Sequence, residues 1–176
     1  MSHVLLVTGG ARSGKSRYAL ERALTYRSKA FIATAEAVDA EMADRIAMHK
    51  KERGKAFLTV EEPADVATAV RRLPQHVEVA VIDCLTVWLA NLMHRFGCRQ
   101  DTYPAVDALL DLLDRPPCDL ILVSNEVGMG IVPETETGRF FRDIAGRVNQ
   151  EAARRANEVV FMVSGIPVTV KPKSSR

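Results

Sequence analysis

Short, unbroken apolar runs alternate along the chain with longer stretches in which apolar residues recur every three or four positions. The first pattern suits strands buried on both faces of a sheet, and the second suits helices that cover those faces. Strands are expected at 4–8, 30–33, 77–82, 119–124 and 158–163, with weaker edge strands at 57–60 and 168–171. Helices are expected at 16–26, 39–53, 64–73, 86–96, 103–113 and 136–156. Arg115-Pro116-Pro117 stops a helix ahead of a strand, and Pro133 sits in a loop before the last helix. The glycine-containing stretch 125–137 reads as a long loop, and loops of that length in compact domains are often functional. Strands and helices alternating in this order predict an α/β three-layer fold, a mostly parallel central sheet with helices on both faces.

Length and composition narrow the picture. A chain of 176 residues with 47% hydrophobic composition fits one domain, drawn here as 1–171, followed by a frayed polar tail at 172–176. The 24 basic and 22 acidic side chains leave a net charge of +2, which argues against a nucleic-acid or membrane partner. Cys84, Cys98 and Cys118 are odd in number and far apart, so neither a disulfide framework nor a zinc site is expected. The apolar start 4–7 is too short for a signal-peptide core, and no apolar run approaches the roughly 20 residues of a membrane span. A cytoplasmic protein with reduced thiols is expected.

The strongest local signal is Gly9-Gly10-Ala11-Arg12-Ser13-Gly14-Lys15-Ser16, set between an apolar strand and a helix. That context is what makes a glycine-rich segment a P-loop. Glycines let the backbone wrap phosphate oxygens and aim N–H groups at them, and the helix start adds partial positive charge. Lys15 is expected at the β and γ phosphates of a nucleoside triphosphate, and the Ser16 hydroxyl on Mg2+. A second metal ligand is expected at the end of another buried strand, where Asp83 stands. A strand-end Asp also serves as a helix cap, so Asp83 carries both readings.

Arg45, His49 and Arg53 recur every four residues and share one face of the expected helix at 39–53. Such a stripe suits a triphosphate, with flanking cations keeping the imidazole neutral and nucleophilic. The alternative is a half-buried His49 on the Met42/Ile46 face with solvated arginines. His3, His76 and His94 fall at the terminus, in a turn and on a helix surface.

Four blocks together make the chain resemble the bifunctional adenosylcobinamide kinase / adenosylcobinamide-phosphate guanylyltransferase family of cobalamin biosynthesis. They are the segment 8–16, then Ile32-Ala33-Thr34-Ala35, then Glu41-Met42 through Arg45, His49 and Arg53, and finally Ser124-Asn125-Glu126-Val127-Gly128-Met129-Gly130. The last continues into Phe141-Arg142-Asp143-Ile144-Ala145-Gly146-Arg147. The resemblance implies a RecA-like P-loop NTPase fold and two reactions. In the first, ATP or GTP phosphorylates adenosylcobinamide. In the second, a histidine attacks the α-phosphorus of GTP, pyrophosphate leaves, and the bound GMP passes to adenosylcobinamide phosphate. By motif position that histidine is His49. The resemblance also implies guanine-nucleotide contacts at Gly9, Gly10, Ala11, Arg12, Ser13, Gly14, Lys15, Ser16, Ala33, Thr34, Ala35, Lys50, Lys51, Glu52, Arg53, Glu61 and Asp83. It implies a corrinoid substrate and, by analogy, a homotrimer.

A substrate hydroxyl needs its proton accepted, and Glu126 is expected as that base or as a partner of the metal site; a purely structural Glu126 is the alternative. Arg139, Arg142 and Arg147 read as a solvated or subunit-contacting face, with substrate phosphate as the sharper option. Two other classes compete: a P-loop kinase of another small metabolite without guanylyltransferase activity, and a nucleotide-dependent switch or motor subunit.

Overall fold

The computed structural model describes residues 2–36, 56–98 and 102–172. In chain order the strands are β1 (Val4–Gly9), β2 (Lys29–Ala33), β3 (Leu58–Glu61), β4 (Val79–Asp83), β5 (Asp119–Val123), β6 (Glu158–Val163) and β7 (Ile166–Lys171). The helices are α1 (Lys15–Ala23), α2 (Val66–Arg71), α3 (Leu85–Phe96), α4 (Pro104–Asp114) and α5 (Glu136–Arg155), with a short 3-10 turn at Val127–Met129. The expected helix at 39–53 lies outside the described residues.

All seven strands join one sheet in the order β3-β2-β4-β5-β1-β6-β7. Every pairing is parallel except β6 with β7. Successive residues of a strand point to opposite faces, so Val4 and Leu6 of β1 enter one apolar core while Leu5 and Val7 enter the other. The same alternation divides Ala30 and Ile32 from Phe31 and Ala33, and Leu120 and Leu122 from Ile121 and Val123. Residues of α2, α3, α4 and α5 fill the first core, and α1 supplies Ala19 and Ala23 to the second. The three-layer arrangement therefore holds, with its helices unevenly shared between the faces.

Boundaries differ from expectation where local chemistry intervenes. α1 ends at Ala23 rather than at 26, because its exit tightens into 3-10 bonding: Tyr26 N donates to Ala23 O at 3.1 Å and the Thr25 hydroxyl donates to Arg22 O at 2.8 Å. β7 begins at Ile166, two residues early, despite Pro167. Proline is tolerated because β7 is the outermost strand. Ser164 and Gly165, with φ of 51° and 83°, form the two-residue turn that joins β6 to β7.

Candidate active site

Parallel strands expose their carboxyl ends at one edge of the sheet, and ligands collect there where successive connections diverge. β1 is followed by β2 on one side of it, and β5 by β6 on the other, so the crevice lies between β1 and β5. Pairing registers align Glu61 of β3, Ala33 of β2, Asp83 of β4, Val123 of β5 and Val7 of β1 in one row along this edge. At about 4.8 Å per strand, Asp83 is roughly 10 Å and Glu61 roughly 19 Å from β1. The expected contacts at Ala33, Thr34, Ala35, Glu61 and Asp83 thus share the edge with the phosphate loop but spread away from it. His49, Lys50, Lys51, Glu52 and Arg53, with Arg45, lie outside the described residues.

The loop from Gly9 to Ser16 has the tight path its sequence demands. Gly9 adopts φ 147°, and a Cβ there would lie 2.5 Å from Met162 O and 2.9 Å from Ser13 Oγ, so a larger residue is barred both by strain and by contact. Ser13 N donates to Gly10 O at 3.3 Å, closing a turn, and Gly14 at φ 95° starts α1. Gly165 N donates to Ser13 O at 3.0 Å, so the β6–β7 turn braces the loop from outside.

Lys15 is buried, and its ammonium donates to Gly10 O at 2.5 Å and to Ser13 Oγ at 3.4 Å. Burial lowers its pKa, against the opposing pull of Cys84 and Asp83. Burial also pushes the Cys84 thiol up to about 12, so at neutral pH Asp83 is the charge that acts on Lys15. The cap of α3 falls on Cys84, whose sulfur accepts from Val87 N at 3.4 Å, so Asp83 is not the N-cap of that helix. The Cys84 peptide is held in turn by Thr34: Cys84 N donates to Thr34 Oγ1 at 2.8 Å, and that hydroxyl donates to Cys84 O at 2.9 Å.

The donor set suits Mg2+. A serine hydroxyl and a carboxylate are hard oxygen ligands, and Mg2+ commonly takes one or two from protein and the rest from phosphate and water. Among the described residues no group of three or more His, Cys, Asp or Glu is placed to hold a metal ion.

Glu126 stands beyond β5, and its main-chain N–H donates to Gly9 O at 3.1 Å. Its Oε1 accepts from Thr8 Oγ1 at 2.6 Å and from Asn149 Nδ2 at 3.0 Å. Thr8 and Asn149 are partners of Glu126 that sequence reasoning missed. Thr8 was hidden as the last position of an apolar strand, and Asn149, the buried polar residue on the inner face of α5, was the signal left unread. The arginines of α5 divide: Arg139 donates to Pro133 O at 3.0 Å and Glu134 O at 2.6 Å, Arg142 pairs with Asp143, and Arg147 is exposed.

A phosphate loop between β1 and α1, with one strand separating β1 from the acidic end of β4, puts the chain among P-loop NTPases of RecA-like arrangement. Sequence comparison narrows the class. The chain belongs to the cobinamide kinase / cobinamide phosphate guanyltransferase family, whose pattern matches residues 5–170. It is 41% identical to the bifunctional adenosylcobalamin biosynthesis protein CobU of Escherichia coli (strain K12), over 96% of this chain and 99% of that protein. It is 42% identical to the bifunctional adenosylcobalamin biosynthesis protein CobP of Pseudomonas aeruginosa, over 94% and 96%. Among solved structures, the RadB recombinase aligns at 16% identity with a TM-score of 0.49, over 90% of this chain and 73% of that one.

Proposed function

We propose how one sheet edge serves the two reactions that family membership assigns to this chain, a cobinamide kinase and a cobinamide phosphate guanyltransferase with nucleotide and cobinamide substrates. For phosphoryl transfer, the triphosphate of ATP or GTP lies on the N–H groups of Gly9 through Ser16, with Lys15 at the β and γ phosphates. Ser16 and Asp83 hold Mg2+, which when bound draws charge from the phosphate oxygens. Glu126 accepts the proton of the aminopropanol hydroxyl of adenosylcobinamide as that oxygen bonds to the γ-phosphorus. The buried cation beside the loop supports this reading, because among the described residues the hydrogen-bond acceptors of Lys15 are a carbonyl and a hydroxyl.

For nucleotidyl transfer, His49 attacks the α-phosphorus of GTP, pyrophosphate leaves, and adenosylcobinamide phosphate then takes the GMP from the histidine to give adenosyl-GDP-cobinamide. Ala33, Thr34, Ala35, Lys50, Lys51, Glu52, Arg53 and Glu61 contact the guanine nucleotide. Support comes from the sequence block around His49 and from β2, which delivers the chain at Glu36 to the same carboxyl edge as the P-loop. The enzyme acts in the cytoplasm as a homotrimer. Exposed Ile166, Val168 and Val170 on the outermost strand supply an apolar face for such an assembly. Among the described residues no helix is long and apolar enough to cross a membrane.

The family match over 5–170 together with the formed phosphate loop carries the reading. The test is to incubate protein with Mg2+ and GTP labelled at the α-phosphorus, denature it, and follow acid-labile, base-stable label. Label on wild type and none on His49→Ala is the expected result. No label on wild type, with or without corrinoid, would leave a plain P-loop kinase as the better account.

A further inference from the structure

A polar thread crosses the apolar layer between β5 and α5. Asn125 N donates to Thr86 Oγ1 at 2.8 Å, and Thr86 Oγ1 lies 3.4 Å from Ser124 Oγ. Ser124 Oγ donates to Asn149 Oδ1 at 2.6 Å, and Asn149 Nδ2 donates to Asn125 O at 3.1 Å and to Glu126 Oε1 at 3.0 Å. Thr8 Oγ1 reaches the same Oε1 at 2.6 Å. The orientation of the Asn149 amide follows from its neighbours: a carbonyl and a carboxylate only accept, so the NH2 must face them.

Apolar side chains of similar volume would pack this layer as well, and a buried polar chain is worth keeping when it fixes a group in one geometry. The group at its end is Glu126. Both anchors occupy Oε1, and among the described residues no hydrogen bond occupies Oε2. Since Glu126 N is also tied to Gly9 O, the carboxylate is held to the entrance of the phosphate loop through main chain and side chain alike.

We propose that Thr8 and Asn149 are positioning residues for phosphoryl transfer: they lock Glu126 Oε1 so that Oε2 faces the acceptor hydroxyl beside the P-loop. This rests on Glu126 being the proton acceptor. In the step, the substrate O–H proton passes to Oε2, the freed oxygen bonds to the γ-phosphorus, and the bond from that phosphorus to the β-γ bridging oxygen breaks to release the nucleoside diphosphate. A carboxylate left to rotate would present the acceptor oxygen for only a fraction of encounters, which lowers kcat and leaves nucleotide binding alone.

The experiment measures cobinamide phosphorylation by Thr8→Val, Thr8→Ser, Asn149→Ala and Glu126→Gln. Glu126→Gln is expected to lower kcat roughly 10²-fold. Thr8→Val and Asn149→Ala are expected to lower it about tenfold with KM for ATP unchanged, and Thr8→Ser, which restores the hydroxyl, to return close to wild type. If Glu126→Gln is slow while Thr8→Val turns over as fast as wild type, or Thr8→Ser is as slow as Thr8→Val, the positioning role is wrong and the base assignment survives. Wild-type turnover by Glu126→Gln would remove both. Thr8→Val is nearly isosteric, so the test does not hang on how Asn149→Ala folds.

Discussion

The two edges of the parallel sheet use charged residues in opposite ways. At the amino edge they close on one another. Arg22 donates twice to Glu158, at 3.1 and 3.0 Å, Tyr26 Oη donates to Asp119 Oδ2 at 2.7 Å, and His3 N donates to Asp119 Oδ1 at 2.7 Å. Asn157 there accepts from Val4 N at 2.7 Å. At the carboxyl edge Lys15 is desolvated, and among the described residues its hydrogen bonds go to a main-chain carbonyl and a serine hydroxyl, with Asp83 acting on it as a nearby charge. A paired ion adds to cohesion, whereas a cation held short of a full partner is available to an incoming phosphate. The difference teaches which edge was built to hold the fold and which to hold a ligand.

The sharpest way to break that comparison is Lys15→Met. If the carboxyl edge is reserved for phosphate, phosphorylation of cobinamide should fall by on the order of 10²-fold or more, because a charged donor to the transferred group is lost. The ligand-free protein should melt no lower than wild type, since the substitution removes a cation whose pKa burial already lowers. A large drop in Tm would mean that Lys15 holds the fold, and the contrast between edges would fail.

Arg22→Met probes the other edge. It leaves the Glu158 carboxylate, 11% exposed, without its bidentate partner. Arg22 is itself 37% exposed, so solvent screens the pair and the cost is held to about 1–2 kcal/mol. For a chain of this size that lowers Tm by roughly 2–8 °C. Turnover of the folded enzyme should match wild type, because the side-chain partners of Arg22 among the described residues are Tyr18 and Glu158, neither of them in the phosphate loop. Matched thermal melts and kinetics at saturating substrate decide it.

How much of this was legible in the sequence depends on how far apart the interacting residues lie. The P-loop was readable because its chemistry is local: eight consecutive residues, the strand before them and the helix after them contain the whole argument. Asp83 was readable as the acidic end of a buried strand, although only the structure assigns the α3 cap to its neighbour Cys84. The lock on Glu126 was not readable, since Thr8 and Glu126 are 118 positions apart and meet only through the β1–β5 register. Asn149 joins them across 23 positions from a helix whose rotation about its axis decides which side chain faces inward. The early start of β7 was concealed by Pro167, which argues against a strand unless the strand is known to be the outermost. The layers followed from periodicity, and the pairwise meetings across the sheet needed the strand order.

The smallest effect tests whether the amino edge is closed at the level of a single proton. Burial, and then the hydrogen bond to Asp119, push the Tyr26 phenol from 10.0 up to about 12. Below pH 10 the hydroxyl keeps its proton in both folded and unfolded chains, and its stabilising contribution is fully present. Between pH 10 and 12 the unfolded chain releases that proton while the folded chain retains it, so the unfolded state binds fewer protons and stability falls as pH rises. Tyr26→Phe removes the titrating group. The difference in unfolding free energy between wild type and Tyr26→Phe should therefore be constant up to pH 10 and shrink towards pH 12, as followed by urea denaturation at stepped pH. A difference that stays constant through that window would show that the phenol is not held by Asp119, and the closed hydrogen bonding of the amino edge would fail at that residue.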